Sequence, residues 1–137
     1  MDLDEARNLL RRQHRAVLAT WHSDGTPQLS PVLAGVDDDG YAVISTRETA
    51  YKVKNLRRDP RAYLCLFPDT FFGGRWAQFD GTVSVVSLPE ALEPLVEYYR
   101  RISGEHPDWD DYRAAMVRDR RVLLRMSITR AGPDLFG

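Results

Sequence analysis

The stretch Ser45–Arg61, STRETAYKVKNLRRDPR, sets basic side chains and hydroxyls directly behind the apolar, strand-like run Tyr41–Ile44. A chain that leaves a strand and enters a helix presents unpaired backbone N–H groups and the positive end of the helix dipole, an arrangement that attracts anions. Ser45, Thr46 and Thr49 are candidates to open such a helix, and Arg47, Lys52 and Lys54 add full charges. The segment reads as a phosphate-binding corner, although a cationic amphipathic helix accounts for its composition equally well. Other chemistry finds little support. The chain has no Gly-x-Ser-x-Gly turn, Walker loop or His-Glu-x-x-His helix. His14, His22 and His106 fall near a strand start, a strand end and a loop, where exposed or capping histidines are expected instead of a metal site. Asp108, Asp110 and Asp111 precede a helical pattern and are better read as N-capping candidates than as acids or metal ligands. No general acid or base is assigned, and the catalytic residues stay unknown.

A corner of this kind must be positioned by elements around it. With 137 residues, 43% hydrophobic and 28% charged, the chain suits a single domain spanning 1–137. A net charge of −1 gives no global attraction to nucleic acid or anionic membrane, so any anion site must be local. Cys65 has no partner for an intramolecular disulfide and sits in an apolar run, which predicts a buried structural thiol. No apolar run approaches a membrane span, and the charged N-terminus MDLDEARNLLRRQ lacks a signal-peptide core, so the cytoplasm is the expected location.

The spacing predicts a helix over Asp2–Gln13, strands over His14–His22 and Pro27–Val36 joined by an Asp-Gly turn, and a third strand at Tyr41–Ser45. A helix over Glu48–Asp59 should stop at Pro60, followed by a strand at Ala62–Phe67 that reads as buried on both faces. Arg75–Ser87 alternates with a two-residue period as a long fifth strand. A helix starting near Ser87-Leu-Pro-Glu and running to Gly104, a short helix over Trp109–Arg118 and a last strand at Val122–Thr129 complete the order. Strands in hairpin-like succession with inserted helices predict an α+β or mainly β fold, an antiparallel barrel with helices around it.

The PQLSPV strand at Pro27–Val32, the KVKNLRRDPRA run at Lys52–Ala62 and the long block from Tyr98 to Leu124 resemble the split-barrel flavin and deazaflavin family. That family contains pyridoxamine 5′-phosphate oxidases and reductases that use coenzyme F420, and the C-terminal block resembles the deazaflavin branch. The resemblance implies a homodimer of six-stranded split barrels with cofactor sites at the subunit interface. By the same resemblance, Gln28, Leu29, Ser30, Pro31 and Val32 run along the cofactor ring, Ser45 and Thr46 meet the ribityl and phosphate, and Lys52 holds the phosphate, with Arg47 adding a contact. Asn55 belongs to the same helix, where a structural hydrogen bond explains it equally well. Arg57, Arg58 and Arg61 are placed to meet an anionic glutamyl tail or simply to form a solvated helix end, and Trp76 and Gln78 of the fifth strand reach the ring of the partner subunit.

The implied activity is a coenzyme F420-dependent oxidoreductase that passes a hydride from the reduced cofactor to a conjugated, electron-poor small-molecule acceptor. The alternatives are an FMN-dependent oxidase or reductase of the same fold, and a cofactor-binding protein without turnover. Leu33 and the pair Tyr51-Lys52 depart from the basic residues of the flavin oxidases, and the chain ends at Phe136-Gly137 without their terminal Trp and Arg. Both departures argue against pyridoxal phosphate synthesis. Neither nucleic acid, membrane nor metal is expected as a partner.

Overall fold

In the computed structural model, which describes residues 1–134, alternating strands close into an antiparallel barrel. The elements run α1 (Leu3–Arg12), β1 (Arg15–Trp21), β2 (Pro27–Val36), β3 (Ala42–Arg47), α2 (Tyr51–Arg58), β4 (Arg61–Leu66), β5 (Ala77–Val86), α3 (Leu92–Ser103), α4 (Trp109–Arg118) and β6 (Arg121–Gly132). Around the barrel the order is β1-β2-β3-β6-β5-β4, so β6 and β4 complete the closure that the β1–β2–β3 meander begins.

The two-residue period sorts the side chains. Ala16 and Leu18 of β1, Ile44 of β3, Leu64 and Leu66 of β4, Phe79 of β5, and Leu124 and Met126 of β6 all point inward and are fully buried. Each contributes about 2 kcal/mol for the larger side chains. Leu9 and Leu10 of α1 and Val53 and Leu56 of α2 join the same core and close the barrel ends. A second cluster forms outside the barrel, where Val43 of β3 and Leu123 of β6 meet Leu95 and Val96 of α3 and Tyr112 and Met116 of α4.

Local chemistry fixes the joints. Asp2 caps α1 by accepting from the Glu5 N–H, and Asp108, one of the three predicted candidates, caps α4 by accepting from the Asp111 N–H. Gly40 turns the β2–β3 hairpin at φ 86°, and a Cβ there would lie 2.7 Å from the Arg7 Nε that donates to the Gly40 carbonyl. Gly81 lies at the irregularity between Asp80 and Gly81, where the β6 backbone presses so close that a Cβ would sit 2.0 Å from the Ser127 carbonyl oxygen.

Several expectations need correcting. Ser45 and Thr46 belong to β3, and α2 begins after Ala50 with no side-chain cap, because β3 continues to Arg47 before the chain turns. Strand β4 buries only Ala62, Leu64 and Leu66; Arg61, Tyr63 and Cys65 face outward. Cys65 is therefore exposed, not a core thiol. An uninterrupted apolar run looks two-sided in sequence, but here the outer position of Cys65 is left exposed among the described residues. The helix read from Ser87 starts only at Leu92, after a turn through Pro89.

Candidate functional site

Strands β2 and β3 pair only through Ala34–Ile44, Gly35–Val43 and Val36–Ala42, and then part. The barrel is split between the N-terminal stretch of β2 and the C-terminal end of β3. The Ala34 N–H bonds to the carbonyl of His14, just before β1, so the odd-numbered residues of β2 turn their backbone groups toward the split. Pro27 and Pro31 occupy such odd positions, where a missing N–H breaks no ladder bond. The split is an open edge lined by Leu29, Pro31 and Leu33.

Tyr98 of α3 closes the inner end of this fork. Its hydroxyl donates to the Leu33 carbonyl at 2.8 Å. Burial raises the phenol above its ordinary pKa, while the Ser45 backbone and the Arg121 charge pull against that rise. Tyr98 thus bridges both arms of the fork, within electrostatic reach of the first residue of β6.

The basic corner stands on the β3 side. Arg47 and Arg121 are cross-strand neighbours on the outer face, and Lys52 lies in the first turn of α2. Burial first, and the Arg121 charge second, hold the Lys52 ammonium below the usual lysine value. The Nε of Arg121 is buried without a hydrogen-bond partner. Among the described residues the ion pairs of this region engage Arg57 with Glu48 and Arg61 with Asp59, and none engages Arg47, Lys52 or Arg121. Like charges gathered without a counterion are unfavourable in the bare protein and complementary to an anion. Composition singled out Lys52 and Arg47 but missed Arg121, which is distant in sequence and is brought in by the β3–β6 ladder. Its cue, the doublet Arg120-Arg121 before an alternating strand, becomes meaningful only once that pairing is known.

Other predicted residues sit nearby in different roles. Thr46 points inward and is buried. Asn55, 2% exposed, donates through Nδ2 to Gln28 Oε1 at 3.0 Å and to Thr20 Oγ1 at 3.2 Å, tying α2 to β1 and β2. Gln28 and Asn55 therefore direct their side-chain amides to each other. The Ser30 Oγ is buried and unpartnered, and Val32 packs against the core. Leu29 and Pro31 project outward. Arg57 is held by Glu48 and reaches the Ser87 hydroxyl, Arg58 donates to the Trp21 carbonyl, and Arg61 lies over the Trp21 ring, 5.7 Å from its centroid.

Trp76 and Gln78 stand apart from this corner. Gln78 pairs with Gly132 at one end of the β5–β6 ladder and Val86 with Leu123 at the other. At about 3.3 Å per residue, that places Gln78 roughly 26 Å along the strand from the level of Ser45. Trp76 and Gln78 line a cleft of about 300 Å³ with Asp80, Arg130 and Pro133, and the Gln78 amide donates to Asp80. Within one chain the two sets do not meet.

The outer face between them is apolar. Across the sheet the register lines up Leu29, Ala19 and Tyr63 in one row and Pro31, Val17, Cys65 and Gln78 in the next. Leu29 is 66% exposed and Leu33 47%. Phe71 and Phe72, stacked edge to face in the β4–β5 loop, are more exposed still. A cleft of about 490 Å³ beside α3 is lined instead by Asp37, Asp38, Asp39, Glu93 and Glu97 with Arg101 and Arg125, a wall that repels a phosphate.

A sequence profile for pyridoxamine 5′-phosphate oxidase matches residues 3–132. The chain belongs to this family. The pyridoxamine 5′-phosphate oxidase family fold extends to solved structures. A conserved hypothetical protein from Mycobacterium tuberculosis is 30% identical, with 96% of this chain and 82% of that chain covered and a TM-score of 0.78. An F420 reductase is 22% identical over 92% of this chain and 94% of its own, with a TM-score of 0.70. A heme storage protein from Vibrio cholerae is 17% identical over 100% of this chain and 98% of its own, with a TM-score of 0.73. At those identities the last two show a shared fold and nothing finer. The family's terminal Trp and Arg compare with Phe136-Gly137, which lie outside the described residues.

Proposed function

We propose that this family member is a coenzyme F420-dependent oxidoreductase that reduces a conjugated, electron-poor small molecule and works as a homodimer. The observation that carries the reading is the set of unpaired cations, Lys52, Arg47 and Arg121, standing beside an open β2 edge. The residues present fit a phosphate-bearing tricyclic cofactor. A buried guanidinium nitrogen lacks a partner, α2 starts without a side-chain cap, and the split leaves backbone edge groups free to meet a ring.

In this reading Lys52 and Arg47 hold the phosphate, Ser45 meets the chain that links it to the ring, and the backbone of Leu29 and Pro31 runs along the ring edge. Gln28 and Asn55 act through their mutual hydrogen bond, which fixes the start of β2 against α2. Ser30, Val32 and Thr46 support the same groove from the inner face. A ring lying in the split has one side toward this chain and one toward solvent. The exposed rows around Leu29 and Cys65 supply the surface on which a second copy would seat, bringing its Trp76 and Gln78 over that open side. Water is then excluded by apolar side chains from both copies. When bound, the reduced deazaflavin supplies hydride; the protein holds the reactants in register and leaves proton delivery to solvent.

FMN is the alternative cofactor, because both share the ring and the phosphate. Arg57 and Arg61 discriminate. Their present partners, Glu48 and Asp59, would exchange for glutamyl carboxylates of a deazaflavin tail. Arg57→Glu or Arg61→Glu should then weaken F420 several-fold and leave FMN nearly unchanged.

The direct test is titration of cofactor-free protein with coenzyme F420 and with FMN, followed by Trp fluorescence, and then an acceptor screen with the reduced deazaflavin. Tighter binding of F420 with turnover of a conjugated acceptor supports the reading. Tighter binding of FMN moves the protein to flavin chemistry, and binding without turnover of any acceptor makes it a carrier.

A further inference from the structure

We propose that Arg121 is the second jaw of a phosphate clamp, closing with Lys52 on one phosphate group at the uncapped start of α2. The inference deepens the cofactor reading and rests on it for the identity of the ester, not for the existence of the anion site. Arg121 opens β6 directly after Arg120, whose φ of 53° places a non-glycine residue in the left-handed region. That conformation ends α4, with the Arg120 N–H on the Val117 carbonyl, while the Arg120 carbonyl accepts from the Glu48 N–H. The joint is thus tied on both sides, and Arg121 is delivered from a fixed backbone against the entry to α2.

There its Nε is buried with no partner, although a buried guanidinium nitrogen without one is costly. The nearest carboxylate of the local cleft, Glu48, is engaged by Arg57. Its charge disfavours the neighbouring Lys52 ammonium, and the nearby Tyr98 and Tyr112 phenols are neutral groups whose hydroxyls donate to the Leu33 and Leu95 carbonyls and so offer Arg121 no counterion. Two cations that no carboxylate among the described residues neutralises, one with a buried unpartnered Nε, match a phosphate oxygen set. Free phosphate, a monoester and a diester share this chemistry; FMN is the monoester and a deazaflavin the diester.

The sequence supplies an internal control, since Lys52 and Lys54 are its only lysines and Lys54 is exposed. Acetylation by an activated ester, mapped by mass spectrometry, should show phosphate protecting Lys52 and sparing Lys54. In Arg121→Gln the phosphate needed for half-protection should rise roughly tenfold to a hundredfold, the loss expected for a charge-assisted hydrogen bond. Arg121→Lys should recover part of it, and it decides the matter if the Gln variant fails to fold. The same titrations with FMN, F420 and riboflavin separate the sources. The ester whose affinity falls most in Arg121→Gln is the one the clamp serves, and riboflavin should be indifferent. If the cofactors bind and Arg121→Gln leaves their affinities and the Lys52 protection unchanged, the clamp is overturned and the cofactor reading stands. If neither cofactor binds but phosphate protects Lys52 through Arg121, the clamp stands and the cofactor reading falls. No protection and no binding overturns both.

Discussion

The Tyr98 hydroxyl donates to the Leu33 carbonyl at 2.8 Å, which joins α3 to β2 at the point where β2 leaves β3. Leu33 is the last residue of β2 before the β3 pairing begins, so its carbonyl would otherwise face an open edge. The bond therefore sets how far the fork opens. Tyr98→Phe should lower stability by about 1 kcal/mol, a fall of roughly 3 °C in Tm, and should weaken cofactor binding by more than its effect on stability alone. Denaturant titration and cofactor titration of the same variant check this. Loss of stability with unchanged affinity would separate Tyr98 from the groove.

Asn55 holds α2 to the barrel from inside. Asn55→Ala removes the donor to both Gln28 and Thr20, of which Thr20 is fully buried, and should cost about 1–3 kcal/mol. Urea unfolding measures it. A change below about 0.5 kcal/mol would mean that water substitutes freely at this end of the barrel.

Gly81 is required by proximity and not by φ. A methyl there meets the Ser127 carbonyl, a backbone atom that cannot swing away as a side chain would. Gly81→Ala should destabilise by about 2 kcal/mol or more, or shift the β5–β6 register, visible as lost amide protection along β6. Wild-type stability in this variant would show that the irregularity relaxes easily.

The outer rows around Leu29 predict self-association. Wild-type chain should sediment as a dimer, and Leu29→Asp, which places a charge at a 66% exposed apolar site, should sediment as a monomer with its barrel intact. Cys65 reports on the same face, since it lies two strands away in the neighbouring row. Its thiol, raised by burial, should react with a disulfide reagent faster in Leu29→Asp than in wild type. Equal rates and a monomeric wild type would place the interface elsewhere.

Lys52 gives a pH signature. Its pKa is lowered in the folded chain, so the unfolded chain binds more protons between that lowered value and the ordinary 10.5. The contribution of Lys52 to stability must rise with pH across that window. Lys52→Met should accordingly be stabilised relative to wild type at neutral pH, and the gap should narrow as pH approaches 10.5. Saturating phosphate should narrow the gap at neutral pH as well, because an anion offsets the cost of holding the ammonium charged in the folded chain. A constant gap would mean that neither burial nor the Arg121 charge perturbs Lys52.

Much of the architecture was legible in the chain. The bounds Pro27–Val36 for β2 and Trp109–Arg118 for α4 match the structure, because alternation and an Asp cap are local signals. The basic corner was marked by Lys52 and Arg47 for the same reason: strand, turn and basic helix are adjacent in sequence. What the tertiary structure decided is everything that depends on which strands neighbour one another. The β3–β6 ladder brings Arg121 beside Arg47, closure of β4 on β1 leaves Cys65 outside, and the early parting of β2 from β3 opens the edge. Alternation states that a strand has two faces. Only the packed barrel determines which of those faces is buried, and which groups are left without a partner.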